Sequence, residues 1–359
     1  MSSDQRDAAS ATMRVLDEAG DLADGADRPD ADGLLAGYRQ LVHGRRLNEL
    51  AGALVRQGRL AVYPSSRGQE ACQVACAAAL SEGDWLFPTY RDAVAIATRG
   101  VDPVEVLSML KGDWHCGYDA ARHRVAPQAT PLATQLLHAV GVAHAARLKG
   151  EDTVVMALCG DGATSEGDFH EACNFAAVFA APVVFFVQNN KYAISVPLAR
   201  QSVAPSLASK AVGYGMPGVR VDGNDLAALS TVLGDAVERG RRGAGPTLVE
   251  ADTYRVEAHT NADDATRYRT ADEVDEWAGR DPLTRVSAYL RGVGVLDDDI
   301  EAEFTTDADR MAARVREGLG VDVAPDPGEL FAHVYATPTQ QLVQQRAALQ
   351  AEFDVEEAR

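Results

Sequence analysis

Two short groups of polar residues, Gly160-Asp161-Gly162 and Asn189-Asn190, have types and spacing that could do chemistry. Gly162 and Ala163 offer backbone N–H groups close to a predicted helix start, which is a common anion site. Asp161 would repel a bare phosphate there, but a divalent cation between carboxylate and phosphate removes the conflict. Mg²⁺ prefers six oxygens and takes few of them from protein. We therefore predict that Asp161, the amide oxygen of Asn190 and a nearby backbone carbonyl bind Mg²⁺ beside a phosphate group.

Other interpretations of the glycine turn account for less of this pattern. A Walker A loop requires lysine where this chain has Asp168, although Gly162 and Gly167 have the right spacing. A Rossmann loop requires a third glycine where the chain has Ser165. A plain tight turn would explain the two glycines but not the pair of asparagines.

The residues around these two groups predict one βαβ unit. The apolar run 153–159 is typical of a buried parallel strand. Ser165 and Asp168 form a helix start signal, and Pro182 ends the helix before the next apolar run at 182–188. One face of that helix is apolar, with Phe169, Ala172, Cys173, Ala176 and Phe179. Both polar groups then follow strand ends, where open α/β sheets bind ligands.

The same alternation continues along the chain and predicts the α/β class with a mainly parallel sheet. Further apolar runs lie at 219–221 and 247–252. Helical patterns fit residues 33–60, 69–82, 92–98, 103–111, 132–148 and 271–318, with a long polar connection at 112–131. We predict three regions: an acidic, loosely ordered arm (1–32), a main domain (33–338) and a helical tail (339–359).

Composition and charge exclude several classes of protein. The chain has 359 residues, 46% of them hydrophobic, and a net charge of −19, which disfavours nucleic-acid binding. No apolar stretch is long enough to span a membrane, and the first thirty residues lack the apolar core of a secretory signal. Five cysteines without CxxC spacing predict reduced thiols in a cytoplasmic protein. We expect Cys72 and Cys76 to pack in the core rather than bind metal.

The glycine turn and the asparagine pair, 26 residues apart (163–188), resemble the thiamine diphosphate motif. The stretches GDGATSEGDFHEACNFAAV and VQNNKYAIS are similar to the α-subunit of the E1 (dehydrogenase) component of 2-oxo acid dehydrogenase complexes. The resemblance covers about residues 33–338 and includes SSRGQEA, PTYRDA, PLATQ, YGMPGVRVDGND and TYRVEAHTNADDATRYR. It implies a thiamine diphosphate-binding fold, with a central, mainly parallel sheet flanked by helices and with helical N- and C-terminal extensions.

The resemblance also assigns roles to individual residues. It implies Mg²⁺ ligands at Asp161, Asn190 and the backbone carbonyl of Tyr192. It implies diphosphate contacts from Tyr90, Arg91, Arg255 and the Gly162 and Ala163 amides. Leu132 would contact the aminopyrimidine ring, and His259 would assist acyl transfer to a lipoyl group.

Two positions depart from mammalian branched-chain members of the family. Gln188 stands where those members have arginine, so one phosphate contact is missing or replaced, and Lys191 could partly compensate. A potassium site of those members corresponds to Ala129, Pro131, Thr134 and Gln135, with alanine in place of serine at the first position. We treat a K⁺ site here as an open alternative.

By resemblance, the chain is an E1 α-subunit that works with a β-subunit in an α₂β₂ assembly and passes acyl groups to lipoylated E2. Thiamine diphosphate would serve as the electron sink for decarboxylation. The stretches TPLATQ, RLAVYPSSRGQEA and AHTNADDATRYR are most similar to bacterial (actinobacterial) branched-chain members. We therefore expect oxidative decarboxylation of branched-chain 2-oxo acids. The alternatives are a pyruvate dehydrogenase α-subunit and, from another class, a non-catalytic cofactor-binding module.

Overall fold

The fold is built on a six-stranded parallel sheet, as seen in a computed structural model that describes residues 11–112, 117–320 and 326–357. The strands are β1 (Thr12–Met13), β2 (Trp85–Phe87), β3 (Val155–Gly160), β4 (Val183–Asn189), β5 (Tyr192–Ala193), β6 (Val196–Pro197), β7 (Gly218–Asp222) and β8 (Thr247–Asp252). The sheet order is β1-β7-β8-β4-β3-β2, and every neighbouring pair is parallel. Strands β5 and β6 form a separate antiparallel hairpin.

Both faces of the sheet are covered, which explains why its central strands are continuously apolar. In β4, Val184 and Phe186 belong to one buried cluster, whereas Phe185 and Val187 belong to another. Because successive side chains of a strand point to opposite faces, the two clusters are the two sides of the sheet. The fold is therefore of the predicted α/β class.

The helices of the first compact unit, which ends at Leu319, cover these faces. In its described part they are Ala31–Arg56, Glu70–Ala78, Ala93–Thr98, Pro103–Lys111, Ala120–His123, Thr134–Lys149, Gly167–Val178, Ala211–Tyr214, Leu226–Arg241, Ala271–Ala278, Pro282–Gly292 and Asp298–Gly318. Short 3₁₀ segments lie at Gly162–Ser165, Leu198–Arg200, Ala208–Lys210 and Ala265–Arg267.

Residues 320–359 form a second compact unit. Its described part contains the helices Glu329–Ala332 and Gln340–Glu357, which agrees with the helical pattern of the tail. The domain boundaries at residues 32 and 338 remain predictions.

The acidic arm differs from the loosely ordered segment that its composition suggested, as far as the structure describes it. β1 pairs with β7, and Leu16 is fully buried. The N–H groups of Val15 and Leu16 donate to the Asp225 carboxylate at 2.7 and 2.8 Å. Residues 1–10 of the arm, and residues 113–116 of the long polar connection, lie outside the described residues.

The four predicted apolar runs all form strands, but the predicted start of one helix is wrong. A 3₁₀ turn, Gly162–Ser165, precedes the helix Gly167–Val178, and Ser165 does not cap it. The Asp168 carboxylate instead accepts a hydrogen bond from Thr134 Oγ1 at 3.0 Å. Asp168 therefore ties this helix to the start of the neighbouring helix Thr134–Lys149.

Two further expectations concern the chain as a whole. Across residues 11–112, 117–320 and 326–357, no helix is both long and apolar enough to cross a bilayer. Cys72, Cys76, Cys159 and Cys173 are free and buried, as expected of core thiols. Cys116 falls outside the described residues.

Candidate active site

The two polar groups of the sequence meet at the carboxyl edge of the sheet. Gly160 at the end of β3 is in register with Gln188 of β4, so Asp161 and Asn190 follow neighbouring strands. A cavity of about 220 Å³ opens there. Its lining includes all ten predicted site residues, namely Tyr90, Arg91, Leu132, Asp161, Gly162, Ala163, Asn190, Tyr192, Arg255 and His259. The fold therefore brings together residues that lie up to 169 positions apart (90 to 259).

Asp161 is one of the buried carboxylates that line this cavity, with 1% of its surface exposed. Its Oδ2 accepts a hydrogen bond from Gln201 Nε2 at 2.7 Å. Its Oδ1 is buried and receives no hydrogen bond from the described residues. Burial raises the pKa of Asp161, because a carboxylate removed from water is costly to ionise. A bound cation would satisfy the unpaired oxygen and favour the charged form.

Hydrogen bonds to both polar atoms fix the orientation of the Asn190 side-chain amide. Its Nδ2 donates to Gln69 Oε1 at 2.9 Å, and its Oδ1 accepts from the Tyr192 N–H at 3.3 Å. Lys191, between Asn190 and Tyr192 in the chain, has a left-handed backbone with φ of 76° and makes the tight turn after β4. Asp161 Oδ1, Asn190 Oδ1 and the Tyr192 carbonyl are all oxygen donors, the type that Mg²⁺ prefers. These residues therefore fit the predicted cation.

No group of three or more His, Cys, Asp or Glu side chains suited to a metal ion occurs within the described ranges. The candidate set has one carboxylate, one amide and one carbonyl. Such a set resembles Mg²⁺ sites in which phosphate and water complete the coordination shell.

Two buried guanidinium groups also line the cavity. Arg255 Nη1 donates to the Tyr192 carbonyl at 3.3 Å, so it lies beside the predicted cation ligands. Arg91 is 5% exposed and Arg255 fully buried, and neither forms an ion pair with a carboxylate in the described residues. Arg91 Nη1 donates to the Ser65 carbonyl at 2.9 Å. Arg255 Nη2 donates to the Ile194 carbonyl at 2.7 Å and the Tyr268 hydroxyl at 2.9 Å. Burial and the neighbouring Arg91 lower the pKa of Arg255. Two buried cations that lack a carboxylate in ion-pair contact favour an anion in this cavity.

His259 contacts both arginines through one ring nitrogen. Arg91 Nη2 lies 3.0 Å and Arg255 Nη1 lies 3.5 Å from His259 Nδ1. Because guanidinium groups only donate, Nδ1 must accept, so the proton of the neutral ring is on Nε2. Burial and the two positive charges lower the pKa of His259 to about 4. His259 is therefore a neutral hydrogen-bond donor near pH 7.

The loop around His259 is fixed by its own contacts. The His259 N–H donates to Asp263 Oδ2 at 2.8 Å, and the Tyr268 hydroxyl donates to the same oxygen. The ring of Tyr90 lies edge-on to His259, with 6.1 Å between ring centres. Asp263 therefore orients the backbone that carries the histidine.

The remaining predicted residues shape the mouth of the cavity. A side chain at Gly162 would meet Ala193 Cβ at 2.7 Å, so glycine permits the close approach of the two loops. Ala163 is buried, and Leu132 is 46% exposed at the cavity edge. A left-handed Ala133, with φ of 63°, turns the chain between Leu132 and the helix Thr134–Lys149.

At the first departure from the mammalian pattern, Gln188 has hydrogen-bond partners of its own. Both polar atoms of the Gln188 side chain are engaged, because Nε2 donates to Asp92 at 2.7 Å and Oε1 accepts from Gln69 at 2.9 Å. Lys191, which we expected could partly compensate, has other partners in this structure. Lys191 Nζ pairs with Asp252 and lies 5.4 Å above the Trp277 ring, outside the cavity lining.

Sequence reasoning missed two glutamines that hold the predicted ligands. Gln69 links Gln188 to Asn190, and Gln201 donates to Asp161. Gln69 lies in SSRGQEA, one of the stretches on which the family resemblance depends. That motif indicated the position but not the role of the side chain. Gln201 lies in no motif that we singled out, and only the folded hairpin β5–β6 brings it to Asp161.

Comparisons with known proteins identify the family. The sequence model of the family described as "Dehydrogenase E1 component" matches residues 38–318. The chain is 49% identical over 316 residues to the 3-methyl-2-oxobutanoate dehydrogenase subunit alpha of Mycobacterium tuberculosis, covering 88% of this chain and 86% of the relative.

Two further relatives are more distant. The 2-oxoisovalerate dehydrogenase subunit alpha of Bacillus subtilis is 39% identical over 315 residues, with 83% of this chain and 94% of the relative covered. The pyruvate dehydrogenase E1 component subunit alpha of Staphylococcus aureus is also 39% identical, over 295 residues, with 81% and 80% covered.

Proposed function

Since this chain belongs to the dehydrogenase E1 component family, we propose that it is the α-subunit of a branched-chain 2-oxo acid dehydrogenase E1. The observation that carries the substrate class is the 49% identity to a 3-methyl-2-oxobutanoate dehydrogenase subunit, compared with 39% to a pyruvate dehydrogenase subunit. The pyruvate enzyme is therefore the second candidate.

We place the diphosphate of thiamine diphosphate between two sets of residues. Asp161, Asn190 and the Tyr192 carbonyl would hold Mg²⁺. Tyr90, Arg91, Arg255 and the Gly162 and Ala163 amides would hold the phosphate oxygens, and Leu132 would lie against the aminopyrimidine ring. The support for this placement is that one cavity is lined by two buried guanidiniums without an ion pair and by a buried carboxylate with an unpaired oxygen. When bound, the cofactor supplies the electron sink for decarboxylation.

His259 is proposed to act on the acyl group during its transfer to a lipoyl acceptor. Its Nδ1 is occupied by Arg91 and Arg255, so its Nε2–H is the group free to donate. A neutral donor suits an oxygen that gains negative charge, and such positioned groups contribute roughly 10²–10⁴-fold.

The proposal includes partners and a compartment. The chain would pair with an E1 β-subunit in an α₂β₂ heterotetramer in the cytoplasm and deliver acyl groups to lipoylated E2. A K⁺ ion at Ala129, Pro131, Thr134 and Gln135 is an optional part of it. The Thr134 hydroxyl already donates to Asp168, and Gln135 Nε2 donates to the Leu158 carbonyl at 2.8 Å, which leaves their oxygens as acceptors.

The test is to co-express this chain with a β-subunit and compare kcat/KM for 3-methyl-2-oxobutanoate and pyruvate. An apolar pocket discriminates by about 1–3 kcal/mol for each methylene-sized group, so we expect a preference of tens to hundreds of fold for the branched acid. A pyruvate value equal to or above the branched-chain value would favour the pyruvate enzyme. Cofactor binding without any turnover would favour a non-catalytic module.

A further inference from the structure

Gln201 is in direct contact with the carboxylate proposed to hold the cation. It follows the 3₁₀ segment Leu198–Arg200 and donates from Nε2 to Asp161 Oδ2 at 2.7 Å and to the Val196 carbonyl at 2.9 Å. Both protons of the amide are therefore used. Its Oε1 is buried and receives no hydrogen bond from the described residues.

Because of this contact, the two carboxylate oxygens of Asp161 differ in their hydrogen bonding. Oδ2 is engaged by the amide, whereas Oδ1 receives no donor in the described part of the chain. The glycine turn and the hairpin β5–β6 are in close contact here, because a Cβ at Gly162 would lie only 2.7 Å from Ala193 Cβ. Asp161 therefore presents a single oxygen to a ligand.

The number of oxygens that a carboxylate offers matters for cation choice. Ca²⁺ takes six to eight ligands and often binds both oxygens of one carboxylate, whereas Mg²⁺ is smaller and demands near-ideal octahedral geometry. An amide that keeps one oxygen engaged disfavours the two-oxygen mode. It therefore penalises Ca²⁺ more than Mg²⁺.

We infer that Gln201 is a positioning residue that restricts Asp161 to one-oxygen binding and so selects Mg²⁺ over Ca²⁺. The inference rests on the proposed function, because it assumes the cation site at Asp161. A purely structural Gln201, which only ties the hairpin β5–β6 to the glycine turn, would affect both cations alike.

The experiment measures the dissociation constants of Mg²⁺ and Ca²⁺ for the metal-stripped α₂β₂ enzyme with thiamine diphosphate present, by calorimetric titration. We compare the wild type with Gln201→Leu, which fills similar space without hydrogen bonds. Gln57→Leu, the same change at the exposed end of the helix Ala31–Arg56, is the matched control. Loss of a group that orients a metal ligand typically weakens binding by about 10–100-fold. We expect Mg²⁺ affinity to fall in this range in Gln201→Leu, with a clearly smaller change for Ca²⁺.

Gln201→Asn is the second variant, since it keeps the amide but is too short to reach both Asp161 and Val196. We expect Gln201→Asn to shift the ratio of the Mg²⁺ and Ca²⁺ dissociation constants in the same direction as Gln201→Leu. This variant also tests the inference if Gln201→Leu does not fold. If the wild type binds neither cation in a cofactor-dependent way, the proposed function fails. If the wild type binds Mg²⁺ but the ratio is unchanged in both variants, the inference about Gln201 is overturned while the proposed function stands.

Discussion

Asp161 and Arg255 are buried residues of opposite charge whose side chains are incompletely paired within the described part of the chain. Asp161 Oδ1 and Arg255 Nε have no hydrogen-bond partner in the described residues. An uncompensated buried charge destabilises a fold, so these residues reduce stability where they stand. A ligand with both a positive and a negative group would pair with these two residues and offset the loss of stability. A complex of a cation with a diphosphate is such a ligand.

The first prediction concerns Asp161→Asn. Removing the buried charge should leave the melting temperature of the cofactor-free protein unchanged or raise it, because an amide is cheaper to bury than a carboxylate. The increase in melting temperature on adding Mg²⁺ and thiamine diphosphate should disappear, since the main charged ligand is lost. Thermal denaturation with and without both ligands measures this, with the exposed Asp299→Asn as control. A wild-type increase in Asp161→Asn would contradict the cation assignment.

The second prediction concerns His259 and pH. Its pKa is about 4 in the folded chain and about 6.5 in an unfolded one. Between these values the unfolded state binds more protons, so stability falls as pH falls from about 6.5 to about 4 and is unaffected by this group outside that window. His259→Gln should therefore reduce proton uptake on unfolding at pH 5 by about one proton.

The pH dependence of the urea midpoint measures this proton uptake. The wild-type midpoint should decline more steeply on acidification than that of His259→Gln. Parallel curves for the two proteins would show that His259 is not held neutral by Arg91 and Arg255.

At the scale of elements, the loop before the helix Glu70–Ala78 connects the core to the site. Gly68 has a φ of 94°, and its carbonyl accepts from Thr253 Oγ1 at 2.7 Å. The next residue, Gln69, contacts both Gln188 and Asn190. A change in the path of this loop would therefore move the side chain that orients Asn190.

The third prediction compares Gly68→Ala with Gly58→Ala. Both glycines have left-handed backbones, but a Cβ at Gly68 would lie 2.2 Å from the Tyr254 carbonyl, whereas nothing lies within 4 Å of one at Gly58. Gly58→Ala should cost roughly 1–2 kcal/mol for conformation alone. Gly68→Ala should cost about 3 kcal/mol or more, because the clash adds to the strain. Equal losses in urea unfolding would show that the loop around Gly68 can move aside.

At the scale of the whole molecule, the proposed placement uses this cavity for the phosphate end of the cofactor. Its described lining includes the two guanidiniums and the three proposed cation ligands. The family resemblance implies that the carboxylate needed at the far end of the cofactor belongs to a β-subunit. The α-chain would then hold only part of the catalytic apparatus.

The fourth prediction follows from this division. The purified chain alone should release no CO₂ from 2-oxo acids in the presence of Mg²⁺ and thiamine diphosphate. Adding a β-subunit should restore release, measured with an artificial electron acceptor. Robust decarboxylation by the isolated chain would refute the proposed dependence on a partner.

The sequence by itself determined the α/β class, four of the strands in the sheet and ten of the residues that line the cavity. These features are local or repeated: continuous apolar runs mark buried strands, and Gly160-Asp161-Gly162 and Asn189-Asn190 mark the loops that follow them. Parallel pairing then places these loops side by side, because neighbouring strands end at the same edge.

Only the tertiary structure decided how the ligands are held. Gln201 and Gln69 contact residues 40 and 121 positions away, and no local pattern encodes such pairs. Strands β1 and β2 have only two and three residues, too short to show a period of two, and they exist because a paired strand lies beside them. Lys191 turns to Asp252 rather than to the cavity, since the fold places a carboxylate on that side. Side-chain partners depend on positions in space that the chain acquires only after its strands have paired.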